Sequence, residues 1–223
     1  MREIILDTET TGLDPKAGHR VVEIGCIELI NHMPTGTNFH RYLNPERDMP
    51  AEAAAVHGLT EAFLKEKPVF AEVVSDLVEF LGEAQLVIHN AAFDMAFLNA
   101  ELTRLGFPAI SAGRAVDTVT MARRKFPGTA LSLDALCQRF SIDNSKRTLH
   151  GALLDAELLS EVYLELIGGR QASIELVAGP MAAEHRVQRV FRPARAHAAN
   201  EQELAAHREL LFKLKSPLWT SAG

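Results

Sequence analysis

Two aspartates occupy positions where the pattern around them demands an interior. In the segment 152–167 the apolar residues recur with helical spacing, and Asp155 lies in the middle of the most apolar stripe, followed by Leu159, Val162 and Leu166 at offsets of four, seven and eleven. Residues 91–105 repeat the arrangement: Asp94 shares a face with Phe97, Leu98 and Leu105. Isolated charges are almost never buried without a partner. Any fold of this chain must therefore bring a cation to each carboxylate. A salt bridge is the ordinary solution, for which Arg104 and Arg123 stand nearby; a bound metal is the other.

The rest of the body reads as alternating strands and helices. Residues 2–7 form a short apolar run suited to a buried central strand, and 20–30 and 37–43 are β-rich segments with Pro34 and Gly36 as the turn signal between them. Helical spacing returns at 69–81, a short strand follows at 85–89, and a weaker helix is expected at 132–140. This order predicts an α/β layer fold with a mixed sheet flanked by helices. Gly168 and Gly169 stop the last body helix, and 177–183 have linker composition. Beyond them, Asn200 with Glu203 three residues on predicts a capping box, with Leu204, Leu211 and Leu214 on one stripe of the following helix.

Composition narrows the function. The 223 residues suffice for one sizeable domain and an appendage, and 47% apolar with 23% charged is ordinary globular usage. Apolar runs are too short for a membrane helix, and acids within the first nine residues argue against a signal peptide. Cys26 and Cys137 sit in apolar surroundings without C-x-x-C spacing, which argues against a disulfide scaffold or thiolate zinc site and for a cytoplasmic location. Residues 1–180 hold 16 Lys and Arg against 25 Asp and Glu, whereas 181–223 hold 7 against 4. An acidic body with a basic tail suggests two jobs.

Asp7 and Glu9 lie two apart at the end of the first strand, so a strand continued through Glu9 points both to the same face; a strand ending at Asp7 leaves both as solvated turn residues. With Asp94 and Asp155 they make four acids on three elements, reconciled by a divalent cation in a cleft. Oxygen donors without cysteine favour magnesium or manganese over zinc. His150, just ahead of Asp155, then stands beside the site with a pKa suited to taking a proton from water.

Three segments carry a family resemblance: Asp7-Thr8-Glu9-Thr10-Thr11-Gly12, His89-Asn90-Ala91-Ala92-Phe93-Asp94 and His150-Gly151-Ala152-Leu153-Leu154-Asp155. In this order the chain resembles the DEDDh 3′–5′ exonucleases, most closely the epsilon proofreading subunits of bacterial DNA polymerase III. The resemblance takes in His57-Gly58-Leu59-Thr60 and extends into the tail. It implies an RNase H-like fold and removal of nucleotides from a single-stranded 3′ end of DNA. It further implies that Asp7, Glu9, Asp94 and Asp155 bind two magnesium or manganese ions, with His150 as general base. Thr8, Thr10, His57, Asn90 and Phe93 become candidate substrate contacts, Phe93 equally a core residue, and Asp117 falls near the site without being a ligand.

The organisation implied is an exonuclease domain over 1–170, a linker over 171–184 and a polymerase-binding tail over 185–223. In the linker, Gln171, Ile174 and Leu176 fit a short clamp-binding peptide or a plain linker equally well. Val187, Val190, Phe191, Leu204, Leu211, Leu214 and Trp219 are the tail's apolar anchors for the polymerase alpha subunit. An RNA-trimming enzyme or oligoribonuclease of the same fold would use the same five residues, and a non-catalytic bracing subunit would have no use for acids on apolar helix faces.

Overall fold

The computed structural model describes residues 1–145, 147–169 and 198–215. The chain divides into two units, Met1–Ile174 and Glu175–Gly223. The first opens with three strands, β1 (Arg2–Thr10), β2 (Val21–Ile30) and β3 (Met33–Tyr42). Three helices follow, α1 (Ala51–His57), α2 (Glu61–Leu64) and α3 (Phe70–Leu81). Then come β4 (Gln85–Ile88), α4 (Ala91–Arg104), β5 (Ala115–Asp117), α5 (Thr118–Lys125), α6 (Leu133–Phe140) and α7 (Ala152–Leu166). In the second unit the described element is α8 (Glu201–Lys213).

The sheet order is β3-β2-β1-β4-β5, with β1 antiparallel to β2 and parallel to β4. This is the expected mixed sheet. Ile4, Ile5 and Leu6 are fully buried because β1 is central and covered on both faces. Ile4, Leu6, Ile24, Cys26 and Ile88 pack with α3 and α4 on one side; Ile5, Ile27, Leu29 and Val87 pack with α6 and α7 on the other. Both cysteines are buried and free. Among the described residues no helix is long and apolar enough to cross a membrane.

The hairpin between β2 and β3 departs from expectation. Its turn is made by Asn31 and His32, both at positive φ (50° and 67°), the hand that matches strand twist. Pro34 and Gly36 lie inside β3 instead, with Pro34 opposite Leu29. Because β3 is an edge strand, a proline there need not break the ladder. Helical spacing in the sequence does not mark α1, α2 or α5, which the structure adds.

Other buried acids show how this fold handles charge without a ligand. Glu3 is fully buried, and its carboxylate accepts a 2.6 Å bond from the Tyr163 hydroxyl while His32 Nδ1 stands 2.7 Å away. Glu101 accepts two bonds from Arg20, at 2.6 and 3.0 Å, and one from Arg104 at 3.1 Å. Arg104 is thereby committed to Glu101 rather than to Asp94, and Arg123 is exposed. In α8, Asn200 and Glu203 form the expected capping box, Leu204 is exposed and Leu214 falls just past the last turn.

Candidate active site

β1 runs unbroken to Thr10, so Asp7 and Glu9 project from the same face as Ile5, toward α7. In the antiparallel pair Gly25 lies opposite Asp7 and Glu23 opposite Glu9. Gly25 has a specific use. A Cβ there would fall well inside contact distance of the Ala152 carbonyl and the Leu153 nitrogen, so a glycine lets the first turn of α7 rest directly on the sheet. That contact sets Asp155, one turn on, over the end of β1. Asp94 arrives from the other side: β4 runs parallel to β1, and α4 therefore begins at the edge where β1 puts out its acids.

Asp117 fixes that beginning. Its Oδ1 accepts from the backbone nitrogens of Asn90, Ala91 and Val119, which settles its place as a cap for α4 and α5. Asn90 itself takes the left-handed conformation, φ 66°, and is exposed.

The geometry places Asp94 and Asp155 deep, at 2% and 4% exposure, with Glu9 buried and Asp7 half-buried. Ligand atoms of Glu9, His150 and Asp155 lie within 4.8 Å of one another. The Thr8 hydroxyl donates a 2.7 Å bond to Asp94 Oδ1. Among the described residues no lysine or arginine forms an ion pair with Asp7, Glu9 or Asp94, in contrast to Glu101.

Asp155 does have a partner that spacing did not reveal. Arg147 reaches it with two prongs, Nε to Oδ1 at 2.6 Å and Nη2 to Oδ2 at 2.7 Å. Its Nη1 donates to Asp134 Oδ2 at 2.8 Å, and Nη2 lies 2.8 Å from His150 Nδ1. His150 is exposed at the rim, 3.4 Å from Asp155 Oδ2, and its backbone nitrogen donates to the Val56 carbonyl of α1.

Burial dominates the electrostatics, and for the two β1 acids like charge adds to it. Burial, then the neighbouring Asp94, Glu9 and Asp155, hold the Asp7 carboxyl well above the usual range. Burial first and Asp155 second push Glu9 up to about 8, with Arg147 pulling the other way. Burial pushes Asp94 up to about 7 although the Thr8 bond favours its charged form. Glu23, held by His40 Nε2 at 2.7 Å, adds to the field on both β1 acids and had no signal in the sequence beyond its place in an apolar run. Such a set is unfavourable by itself, and hard oxygen donors around an excess of negative charge fit a divalent cation.

Beside the acids lies a cavity of about 600 Å³ walled by Thr8, Glu9, Leu13, Val56, His57 and Phe93 among others. Leu13 is 85% exposed at its mouth. Phe93 packs on Phe97 of the core, ring centroids 4.9 Å apart and tilted, and it also lines the cavity. His57 is buried and accepts from the Leu59 nitrogen through Nδ1, while Nε2 has no hydrogen-bond partner among the described residues. The Thr8 and Thr10 hydroxyls are engaged internally, with Asp94 and with the Gly12 carbonyl. Asn90 is not among the residues that line the cavity. Gln171, Ile174 and Leu176 lie outside the described residues, as do Val187, Val190, Phe191 and Trp219.

Comparison with known proteins agrees with this architecture. The family model described as Exonuclease matches residues 4–163. The chain is 48% identical to the DNA polymerase III subunit epsilon of Rickettsia typhi, covering 96% of this chain and 97% of the relative. It is 45% identical to that of Escherichia coli K12, covering 92% and 90%. Exonuclease X in complex with 5′ overhanging duplex DNA superposes with a TM-score of 0.57 at 26% identity, over 74% of this chain and 90% of the other. The nuclease domain of 3′hExo, a DEDDh family member bound to rAMP, shares the fold with a TM-score of 0.65 at 17% identity, over 74% and 91%. The chain belongs to the DEDDh exonuclease family, among the DNA polymerase III epsilon subunits.

Proposed function

We propose that this chain is a metal-dependent 3′–5′ exonuclease that removes mismatched nucleotides from the 3′ end of DNA as the proofreading subunit of a replicative polymerase. The observation that carries the chemistry is the convergence of Asp7, Glu9, Asp94 and Asp155 from β1, α4 and α7, with no lysine or arginine among the described residues forming an ion pair with Asp7 or Glu9. These four acids are the residues that hold divalent ions. When bound, two magnesium or manganese ions acidify the attacking water and offset the charge of the scissile phosphate.

The chain's own groups do the rest. His150, about half exposed at the rim, takes the proton of the attacking water. Thr8 fixes the Asp94 carboxylate through its hydroxyl. The cavity between β1 and α1 receives the terminal nucleotide, its base against Leu13, Val56 and Phe93, with Nε2 of His57 facing a polar group of it. Four carboxylates balance two doubly charged ions, which is how an acidic body handles a polyanion without a basic coat.

The tail over 185–223 binds the polymerase alpha subunit, supported by the exposed Leu204, Leu210 and Phe212 of α8 and by the basic composition of the segment. A linker over 171–184 with Gln171, Ile174 and Leu176 touching the sliding clamp completes the organisation. The site of action is the cytoplasm, consistent with buried, unpaired cysteines. Digestion of matched single-stranded DNA and RNA, with and without EDTA, tests the reading: EDTA-sensitive shortening of DNA from the 3′ end is expected, and metal-independent or absent cleavage would overturn it.

A further inference from the structure

Asp155 already holds a cation. Arg147 occupies both of its oxygens in a planar, two-pronged pair, with the arginine side chain 7% and the aspartate side chain 5% exposed. A fork of this kind is strong and geometrically fixed. It engages each of the two Asp155 oxygens, and it places a positive charge beside the position that a divalent ion would share with Glu9. The arginine also has somewhere else to go. Its Nη1 is bound to Asp134 on α6, whose side chain is more than half exposed and is steadied by Asn144 Nδ2 at 2.9 Å. The same guanidinium reaches His150 Nδ1, so its position and that of His150 are tied together.

We propose that Arg147 is a positioning residue that serves as the resident cation of the site: it holds Asp155 and His150 in the metal-free protein and gives up Asp155 to an entering divalent ion, keeping its hold on Asp134. This rests on the reading of Asp155 as a metal ligand. The arrangement explains how a buried carboxylate is tolerated before metal arrives, and why an acidic site carries one arginine at its edge. The coupling is a competition: the fraction of molecules with Arg147 seated on Asp155 lowers apparent metal affinity by that fraction.

The test is calorimetric titration of Mn²⁺ into the full-length chain, together with melting curves in EDTA. Arg147→Gln is expected to bind Mn²⁺ roughly tenfold more tightly than wild type, within the usual range of couplings between ligands. Its melting temperature in EDTA should fall, because Asp155 is left buried and alone. Asp134→Asn should bind no more tightly than wild type, since it removes the second seat and leaves the pair on Asp155. If Arg147→Gln does not fold without metal, Arg147→Lys, which keeps the charge and loses the fork, takes its place with a smaller gain in affinity. Equal or weaker Mn²⁺ binding by a folded Arg147 variant overturns the proposal while leaving the metal site standing. An equal gain from Asp134→Asn also overturns it, since loosening of the loop would then suffice. Absence of Mn²⁺ binding by wild type and all variants removes the metal reading as well.

Discussion

Gly25 of β2 lies directly beneath Ala152 at the start of α7, close enough that a methyl group has no room between strand and helix. The strand residue paired with Gly25 is Asp7, and the helix carries Asp155 one turn later. One missing side chain thus sets how near two of the four site acids approach each other.

Substituting Gly25 with alanine is expected to push α7 off the sheet, because the obstructing atoms are backbone and cannot rotate away. A stability loss of about 1–3 kcal/mol, typical of overpacking, should accompany a loss of metal-dependent cleavage well beyond tenfold. Denaturant unfolding and a single-turnover assay on the same preparation check both parts.

Asp7→Asn separates function from stability. Removing one of several crowded negative charges should raise the melting temperature in EDTA by about 2–4 °C, the equivalent of roughly 1 kcal/mol in a chain of this size. Trimming of a mismatched 3′ primer end in Mg²⁺ should disappear. A variant that melts lower in EDTA and still trims would contradict the crowding described for this site.

Stability of the metal-free protein should depend on pH with a definite sign. Glu9 is raised from its ordinary 4.5 to about 8 and Asp94 from 3.8 to about 7, so both bind protons more tightly when folded. Their contribution is fully present below about pH 4 and is lost as pH climbs through 7 and 8. Melting temperature in EDTA should accordingly decline between pH 5 and 8, and saturating Mg²⁺ should flatten the decline. Differential scanning calorimetry across that range decides it.

Removing residues 181–223 should leave digestion of single-stranded DNA within about twofold of the full chain, because the site acids, His150 and Arg147 all lie in the first unit. Binding to the polymerase alpha subunit should be lost, which surface plasmon resonance with immobilised alpha subunit would register. Undiminished affinity would move the interface into the body.

Much of the site was readable in the chain because it depends on local periodicity. The two-residue repeat of a strand aligned Asp7 with Glu9, and the 3.6-residue repeat of a helix marked Asp94 and Asp155 as inward-facing. Pro34 and Gly36 misled for a related reason: their turn preference is local, whereas the edge position that admits them into β3 is a property of the whole sheet. Arg104 was a reasonable partner for a buried acid and does hold one, Glu101, three residues earlier on the same helix and therefore on the same face.

By itself, then, the sequence determined which residues face inward and which chemistry they carry, since covalent geometry transmits side-chain direction over a turn or two. Only the tertiary structure decided their company. Glu23 stands opposite Glu9 through strand register, Gly25 admits Ala152 through the docking of α7, and Arg147 reaches Asp155 because the segment before α7 returns to the helix's first turn. Register and docking join residues far apart in the chain, and they are settled by burial of the whole core rather than by any neighbour's preference.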